Sequence, residues 1–302
     1  MKCLIVGCGY VGLPLGVELV RQGHEVFGLR RSPAAETELK AAGIQPLFGD
    51  VTRPETLATL PRAFDWVVNC VAAGGDAENY RQVYLQGTRN LMEWLAPNPP
   101  KKFVYTSSTS VYGQTDGSQV KESSPTEPLV ETAKVLVETE KVLLAAATDR
   151  KVPAVILRVA GIYGPDRGHA FKQFLKNEAR IEGDGSRVMN MIHRDDLVSC
   201  IIAALKSGRA GEIYNAVDDE PVSQMTFFQW LAGTVGKYPP PSEPENPVEN
   251  RKRGVTNKRV SNRRLKMELG CQFKYPNFRK GYSAEILRLE RAGELHVAPD
   301  ER

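Results

Sequence analysis

The stretch KCLIVGCGYVG at residues 2–12 decides the fold of this chain. It opens with a short apolar run that predicts a buried strand, and the amphipathic residues 13–21 behind it predict a helix. The glycines between the two elements follow the pattern G-x-G-x-x-G, which in this setting is typical of a dinucleotide-binding turn. Gly7 permits the tight turn, Gly9 leaves room for a pyrophosphate beside the backbone, and Gly12 lets the helix pack close to the strand. We assign these glycines to a cofactor site, together with Tyr10 and Val11.

The composition is that of an ordinary soluble globular protein. The 302 residues are 41% hydrophobic and 25% charged, and a net charge of +4 is too mild to indicate a nucleic-acid partner. The five cysteines form no C-x-x-C pair, which favours reduced thiols, and we assign no metal site. No apolar run approaches the ~20 residues that span a bilayer. Because the first predicted strand starts at residue 2, there is no room for a signal peptide, and we expect a cytoplasmic protein without a membrane partner.

The end of the second predicted strand, residues 25–29, indicates which nucleotide is bound. NAD sites usually carry Asp or Glu there for the ribose 2′-hydroxyl, whereas this chain has Arg30, Arg31 and Ser32. Guanidinium groups bind phosphate through charge-assisted hydrogen bonds, so these residues predict NADP rather than NAD. The alternative is a solvated basic turn.

Strand and helix patterns alternate over the first 165 residues, which predicts an α/β fold with a doubly wound parallel sheet. Ligands of such sheets bind beyond the carboxyl ends of the strands. At one such end, Asp50 is placed to accept from an adenine amino group while the Val51 backbone completes the contact; alternatively, Asp50 caps the helix that begins near Pro54. Other strand ends bring small or apolar residues to the same edge, and we add to the cofactor site Val71, Ala72, Val159 and Ile162.

Seven motifs follow one another along the chain. They are GCGYVG at residue 7, GDVT at 49, QGTRNL at 86, YTSSTSVYG at 105, LRVAGIYGPDR at 157, NMIHRDDL at 190 and EIYNAVDD at 212. In their order and spacing the chain resembles the extended short-chain dehydrogenase/reductases of the NAD-dependent epimerase/dehydratase type. The resemblance implies a Rossmann-type sheet with a smaller C-terminal substrate lobe, and an NADP-dependent oxidoreductase or epimerase whose small-molecule substrate is a sugar or nucleotide sugar. We place the dinucleotide-binding domain at 1–165, with 193–217 returning to it, and the substrate lobe at 166–192 and 218–302.

The chain departs from this family at the catalytic positions. Family chemistry uses a Ser or Thr, a Tyr that acts as acid/base, and a Lys four residues later that lowers the pKa of the Tyr. Ser108 matches the hydroxyl position. One alignment puts Thr132 at the tyrosine position and Leu136 at the lysine position. A shift of two residues restores Lys134 but puts Val130 in place of the tyrosine.

Two tyrosines are candidates for the missing acid. The family also uses an Asn that supports these catalytic residues, and Tyr84 aligns with it. Tyr84 either acts as a substitute acid or only packs or forms a hydrogen bond as an aromatic side chain. Tyr163 is a second candidate of the same kind. We interpret His193 as structural.

The sequence of the substrate lobe suggests a class of ligand but does not identify the substrate. The resemblance places Arg187 and Asn190 near a nucleotide-sugar ligand. The basic segment 251–266 either holds a diphosphate, binds a polyanion or forms a solvated face, and the lack of interleaved aromatics favours the solvated face.

Two functions of different classes follow. The first is an enzyme in which Ser108 orients the substrate oxygen. The second is a catalytically silent NADP-binding sensor or scaffold, which the missing Tyr and Lys favour. A third hypothesis is a nucleic-acid binder that uses the basic segment. The sequence does not decide whether the protein forms a homodimer.

Overall fold

A parallel sheet of seven strands forms the centre of the molecule. The computed structural model describes residues 1–149, 151–244 and 256–295. The strands are β1 (Lys2–Val6), β2 (Glu25–Arg30), β3 (Gln45–Phe48), β4 (Trp66–Asn69), β5 (Lys102–Ser108), β6 (Gln119–Val120), β7 (Ala154–Val159), β8 (Gly161–Tyr163), β9 (Ile181–Glu182), β10 (Val188–Met189), β11 (Met191–His193), β12 (Ile213–Ala216), β13 (Val222–Ser223), β14 (Ser242–Glu243) and β15 (Arg259–Val260).

The central strands lie in the order β12-β7-β5-β4-β1-β2-β3. The chain therefore moves outward from β1 in one direction, returns, and moves outward in the other, which is the doubly wound arrangement that the sequence predicts. All six pairings in this sheet are parallel. The predicted fold class is confirmed, and the carboxyl ends of the strands share one edge.

Helices cover both faces of the sheet. They are α1 (Gly12–Arg21), α2 (Glu36–Ala41), α3 (Pro54–Leu57), α4 (Ala77–Tyr80), α5 (Gly87–Leu95), α6 (Glu131–Thr148), α7 (His169–Leu175), α8 (Arg194–Ser207), α9 (Gln224–Val235), α10 (Arg263–Leu269) and α11 (Phe278–Arg291). None of the helices in the described ranges is long and apolar enough to cross a membrane.

Two apolar clusters hold the helices to the sheet. One contains Leu15 of α1 and Ile201 of α8, and the other contains Leu91 of α5 and Leu143 of α6. Burying a Leu or Ile side chain of this kind stabilises a fold by about 1.5–3 kcal/mol. The sheet and its helices therefore form a rigid platform under the strand ends.

The long helix predicted over residues 79–95 is not regular. It begins at Ala77 and winds as a π-helix over Arg81–Gln86 before α5 continues it. π-Helical turns are rare in proteins, and those that occur often lie at functional sites. The turn contains Tyr84, one of the two candidate acids.

A third apolar cluster lies in the C-terminal part of the chain. It joins Phe171 of α7, Phe227 of α9, and Phe278 and Tyr282 of α11. The strands around it are two or three residues long, too short for any hydrophobic period to reveal. The predicted division into two domains stays a prediction.

Candidate active site

The glycine turn after β1 has the geometry of a phosphate cradle. Gly7 has φ +84°, and a Cβ there would lie 2.8 Å from the backbone of Val71. A Cβ on Gly12 would lie 2.7 Å from the Gly7 carbonyl oxygen. A Cβ on Gly9, in contrast, would meet no described protein atom closer than Arg30 Nη1, at 3.7 Å. Packing thus requires the first and third glycines, whereas the space beside Gly9 stays open for a ligand.

The first turn of α1 faces that open space. Val11 precedes the helix and no side chain caps its first turn. Backbone N–H groups at a helix N-terminus attract phosphate through their unsatisfied donors and the helix dipole. The residues present therefore fit the diphosphate of a dinucleotide.

Cys8 fills the interior of the same turn. Its side chain is fully buried against Gly28, and burial raises the pKa of its thiol to about 12. A thiol of this kind stays protonated at neutral pH and serves as a small apolar filler.

The basic residues that follow β2 differ in their placement. Arg30 Nη1 donates to the Cys8 carbonyl at 2.6 Å, which holds the guanidinium alongside Gly9. Arg31 is exposed. Ser32 Oγ accepts from the N–H of Ala34 at 3.2 Å and caps a short 3₁₀ turn, Pro33–Ala35. Arg30 is thus the residue of the predicted trio that lies directly at the turn.

The residues expected to contact adenine form a local turn. Asp50 Oδ1 accepts from both the N–H and the hydroxyl of Thr52, at 2.9 and 2.8 Å. Val51 is buried, and its carbonyl accepts from Asn90 Nδ2 at 2.7 Å. Asp50 therefore shapes the turn that precedes α3, and its contact with adenine stays a prediction.

The remaining predicted cofactor residues lie at strand ends. Val71 and Ala72 follow β4, with Val71 against Gly7. Val159 ends β7 and is buried, and Ile162 lies in β8. All four lie at the carboxyl edge of the sheet, as expected from the parallel topology.

Two arginines that sequence reasoning missed flank the glycine turn. The hydroxyl of Tyr10 donates to the Pro165 carbonyl at 3.0 Å. The guanidinium carbons of Arg167 and Arg194 lie 4.8 and 5.3 Å from the Tyr10 ring centroid. Arg167 follows the Tyr-Gly-Pro sequence of the LRVAGIYGPDR motif, and that position was the available signal. Arg194 also pairs with Asp195 at 2.9 Å, so Arg167 is the cation of the two that adds more positive potential beside Tyr10.

Ser108 lies at the carboxyl end of β5. Its Oγ accepts from the N–H of Ser110 at 3.1 Å and caps a short 3₁₀ turn, Thr109–Val111. The next residue, Tyr112, is fully buried. Its hydroxyl donates to Asn215 Oδ1 at 2.8 Å and accepts from Arg158 Nη1 at 2.9 Å. These two hydrogen bonds of the Tyr112 hydroxyl therefore fix the end of the turn that carries Ser108.

A buried ion pair supports this turn. Arg158 on β7 and Glu140 on α6 are 4% and 3% exposed and lie 2.7 Å apart, with Nη2 on Oε2. Ser107 Oγ donates to Glu140 Oε1 at 2.6 Å. The pair thus joins β5, β7 and α6 beneath the candidate site.

Neither alignment of α6 gives a tyrosine and a lysine facing this turn. Leu136 is buried in an apolar cluster with Val111 and Tyr112. Lys134 is exposed and forms an ion pair with Glu131 at 2.7 Å. The site therefore differs from the family pattern in three dimensions as well as in sequence.

Tyr84 lies against the loop that follows β4. Its hydroxyl oxygen accepts from the Ala73 N–H at 3.1 Å, and its ring lies 5.0 Å from that of Tyr80. The contact joins the π-helical turn to the loop that carries Val71 and Ala72. Tyr84 is thus close to predicted cofactor residues, and its role as an acid stays a prediction.

Tyr163 occupies a different environment. It is 1% exposed, its ring stacks on Tyr282 at 4.5 Å, and its hydroxyl donates to the Asn277 carbonyl at 3.2 Å. Burial raises the pKa of this phenol well above its ordinary value. These contacts favour a packing role for Tyr163.

His193 begins α8. Its Nδ1 accepts from the N–H of Asp195 at 3.2 Å, so the ring caps the helix and carries its proton on Nε2. Burial lowers the pKa of the imidazole to about 4. The geometry fits the structural interpretation.

The predicted substrate residues are engaged by the protein itself. Asn190 Nδ2 donates to the Lys258 carbonyl and Asn190 Oδ1 accepts from the Val260 N–H, both at 2.9 Å. Arg187 pairs with Glu182 at 3.3 Å, and its buried Nε has no partner among the described residues. Of the two, Arg187 is better placed for a ligand contact.

The basic segment is mixed where the structure describes it. Residues 251–255, with Arg251, Lys252 and Arg253, lie outside the described part. Arg259 and Arg263 are exposed, as a solvated face requires. Arg264 and Lys266 are partly exposed and form ion pairs, Arg264 with Glu212 and Glu268 and Lys266 with Asp219. Lys258 is 3% exposed and contradicts the solvated-face interpretation at its own position, because a run of charges does not reveal which of them the fold buries.

Known proteins give the fold and the site a context. A family model described as the NAD dependent epimerase/dehydratase family matches residues 3–216. Protein YeeZ of Escherichia coli K12 is 28% identical over 285 residues, which cover 91% of this chain and 97% of YeeZ.

Solved structures share the architecture. One from Methylobacillus flagellatus, described without a substrate as an NAD-dependent epimerase/dehydratase, is 33% identical, has a TM-score of 0.76, and covers 96% of this chain and 98% of its own. DesIV, a dTDP-glucose 4,6-dehydratase of Streptomyces venezuelae solved with NAD and TYD bound, has a TM-score of 0.83 at 22% identity, with coverages of 96% and 97%. At that identity the likeness shows the fold alone.

Proposed function

From the premise that this chain belongs to the NAD dependent epimerase/dehydratase family, we propose that it is an NADP-dependent oxidoreductase or epimerase of a sugar or nucleotide sugar. The single observation that carries the proposal is the open face of Gly9 with Arg30 beside it. Such a face admits a diphosphate, and the guanidinium offers paired donors to a further phosphate.

The chain's own residues divide the work of holding the dinucleotide. The N–H groups at the N-terminus of α1 would bind the diphosphate, because those of Gly7, Cys8 and Gly9 already donate to backbone carbonyls. Arg30 would bind the ribose phosphate, and the loop after β4 would line the nucleotide. When bound, the nucleotide supplies a hydride donor or acceptor. DesIV was solved with NAD rather than NADP, so the preference for NADP depends on Arg30 and its neighbours.

On the substrate side, Ser108 orients a substrate oxygen at the end of β5. Its hydroxyl accepts from a backbone N–H and so keeps its own proton available to donate. Tyr84 is the candidate proton donor. The dTDP-D-glucose 4,6-dehydratase of Homo sapiens, which is 28% identical over 180 residues that cover 57% of this chain and 51% of that protein, supports a sugar attached to a nucleoside diphosphate.

The proposal is tested by mixing the purified protein with NADPH or NADP⁺ and a panel of UDP- and dTDP-linked sugars. NADPH absorbance follows net oxidation or reduction, and chromatography of the sugar nucleotides detects epimerisation, in which the cofactor is regenerated. Calorimetry on the same protein measures NADPH binding separately. We expect binding, and turnover with at least one member of the panel. A protein that binds no nicotinamide nucleotide contradicts the proposal. A Tyr84→Phe variant with unchanged turnover removes Tyr84 as the acid.

A second function is favoured by one observation: neither residue aligned with the family lysine offers a free amine to the site, because Leu136 is buried in an apolar cluster and Lys134 is exposed and paired with Glu131. A protein that keeps the nucleotide site and lacks this amine fits an NADP-binding sensor or scaffold. Tight NADPH binding without turnover across the panel supports this second function.

A further inference from the structure

A second turn of the backbone lies beside the glycine turn. It consists of residues 164–167, which follow β8, and is here called the second turn. The N–H of Gly164 donates to the Arg167 carbonyl at 3.0 Å, and the N–H of Arg167 donates to the Gly164 carbonyl at 2.9 Å. Asp166, between them, has φ +59°, which is uncommon for a residue other than glycine. The second turn is therefore closed by its own backbone.

Two further contacts fix the position of the second turn. The Tyr10 hydroxyl, which belongs to the glycine turn, donates to the Pro165 carbonyl at 3.0 Å. In addition, α11 binds Asp166. Glu285 Oε1 accepts from the Asp166 N–H at 3.1 Å, and Arg288 Nη2 donates to Asp166 Oδ1 at 2.7 Å. The second turn is thus anchored both to the glycine turn and to a helix of the C-terminal region.

Arg167 holds an unpaired guanidinium at the glycine turn. Its side chain is exposed, and the guanidinium carbon lies over the Tyr10 ring, 4.8 Å from the centroid. Within the part of the chain that the structure describes, no oxygen accepts from this guanidinium. Arg194 lies over the same ring at 5.3 Å but pairs with Asp195 at 2.9 Å. A guanidinium that rests on an aromatic ring by its face keeps the N–H donors in its plane available to an anion.

The backbone that carries the Tyr10 ring has free donors of its own. The N–H of Gly9 donates to the Gly7 carbonyl, and the N–H of Leu13 donates to the Gly9 carbonyl. The N–H groups of Tyr10 and Val11 lie between these two and donate to no acceptor in the described ranges. Free N–H groups at a helix N-terminus bind phosphate. Tyr10 therefore combines a free donor on its backbone with a guanidinium held over its ring.

The charges of the proposed ligand give this guanidinium a partner. In the proposed function, Arg30 binds the 2′-phosphate, whereas the two negative charges of the diphosphate meet only backbone N–H groups. Phosphate oxygens form their strongest hydrogen bonds with charged donors such as a guanidinium. Arg30 lies at Gly9 and Arg167 lies at Tyr10. The two cations therefore stand at adjacent residues of the turn, where they can serve different phosphates.

We propose that Arg167 binds the diphosphate of the bound dinucleotide, and that Tyr10 is the positioning residue that holds the guanidinium at the turn. The inference rests on the proposed nucleotide site. Because the second turn is anchored to α11, the diphosphate is then held by backbone N–H groups of the glycine turn and by a side chain fixed to the C-terminal region. Binding of the dinucleotide joins these two parts of the molecule.

Titration calorimetry separates the diphosphate contact from the 2′-phosphate contact. NADPH carries both groups, whereas 2′-AMP carries the 2′-phosphate without a diphosphate. Arg167→Met should weaken NADPH binding about 10- to 100-fold, because a hydrogen bond to a charged group is lost, and should leave 2′-AMP binding unchanged. Arg30→Met should weaken the binding of both ligands. Arg167→Lys keeps the charge without the planar donors, and its NADPH affinity should lie between those of the wild type and Arg167→Met.

Two further variants test the geometry. Arg194→Met is the matched control, because this guanidinium lies over the same ring and already has a carboxylate partner. Its loss of NADPH affinity should be smaller than that of Arg167→Met. Tyr10→Leu removes the ring, so it should weaken NADPH binding in the wild-type background and change the affinity little when Arg167→Met is already present. Urea unfolding checks that each variant folds, and the exposed Arg167 can be replaced even where Tyr10 cannot.

Unchanged NADPH affinity in Arg167→Met overturns the proposal, and so does a larger loss in Arg194→Met. A parallel loss of 2′-AMP affinity would assign Arg167 to the 2′-phosphate, and a loss seen with UDP in place of NADPH would assign it to a substrate diphosphate; either result overturns the proposal. An additive loss in the double variant overturns the positioning role of Tyr10. A wild-type protein that binds no nicotinamide nucleotide overturns the proposed function itself and this inference with it.

Discussion

Arg30 shows how a single side chain sets the chemistry of the nucleotide site. The hydrogen bond from its guanidinium to the Cys8 carbonyl places a fixed positive charge beside the open face of Gly9. Arg31 is adjacent in sequence and exposed. The sequence indicates a basic pair, and the structure separates the two residues by their distance from the turn.

Arg30→Met should weaken NADPH binding about 10- to 100-fold, because a hydrogen bond to a charged group contributes about 1.5–3 kcal/mol. NADH lacks the 2′-phosphate, so its affinity should change little. Titration calorimetry with both nucleotides measures the two effects, and Arg31→Met is the matched control with a smaller loss. A larger loss in the Arg31 variant would reassign the phosphate contact.

His193 predicts a pH dependence of stability. Its pKa is lowered in the fold to about 4 from the ordinary 6.5, so the unfolded chain binds more protons between these values. The stabilisation is complete above pH 6.5 and is lost as the pH falls toward 4. The His193→Asn variant keeps a helix-capping oxygen but has no imidazole to protonate. Between pH 7 and 4.5, its free energy of unfolding, measured with urea, should fall by about 1–3 kcal/mol less than that of the wild type. An identical pH dependence in the two proteins contradicts the prediction.

Single residues also show where sequence reasoning ends. The roles of Gly7 and Gly12 follow from spacing alone, because backbone approach needs only a glycine at that position. The burial of Lys258 could not be recognised, because this residue stands in a basic run and its burial depends on contacts with residues far away along the chain. The family resemblance placed Asn190 near a ligand, whereas in the structure its amide binds the backbone of Lys258 and Val260.

At the scale of elements, the junction of α6 with β7 carries the candidate site. Arg158 and Glu140 are buried at this junction, and removing one partner of such a pair leaves an uncompensated charge. Glu140→Gln should lower the free energy of unfolding by about 3–5 kcal/mol. Glu138→Gln breaks only an exposed pair with Arg81 and should cost less than about 1 kcal/mol. Urea unfolding of the two variants compares the buried and the exposed face of one helix, and equal losses would contradict the account.

The packing of α11 depends on one glycine. A Cβ on Gly281 would lie 2.2 Å from the Tyr163 hydroxyl, whose ring is held by Tyr282. Gly281→Ala should therefore destabilise the protein by about 1–3 kcal/mol. Gly233→Ala in α9, where a Cβ meets nothing within 4 Å, should instead stabilise it by up to about 1 kcal/mol. Thermal unfolding should show a lower midpoint for Gly281→Ala and an equal or higher midpoint for Gly233→Ala. A Gly281→Ala protein as stable as the wild type would contradict the packing described for Tyr163.

At the scale of the whole molecule, the sheet was predictable and the C-terminal architecture was not. Alternating strands and helices dictate a parallel sheet, and its topology brings the strand ends to one edge. The segment 256–262 and the short strands around it are set by contacts between segments distant in sequence, which no local period records.

The central claim is that a dinucleotide binds through the open face of Gly9, and Gly9→Ala tests it most directly. The added Cβ would meet no described protein atom closer than 3.7 Å, so the midpoint of urea unfolding should equal that of the wild type. A substitution that disturbs packing would lower this midpoint. The methyl group would stand where the diphosphate approaches, and NADPH affinity measured by titration calorimetry should fall at least about tenfold, or ~1.4 kcal/mol. A Gly9→Ala protein that binds NADPH as tightly as the wild type would contradict the account.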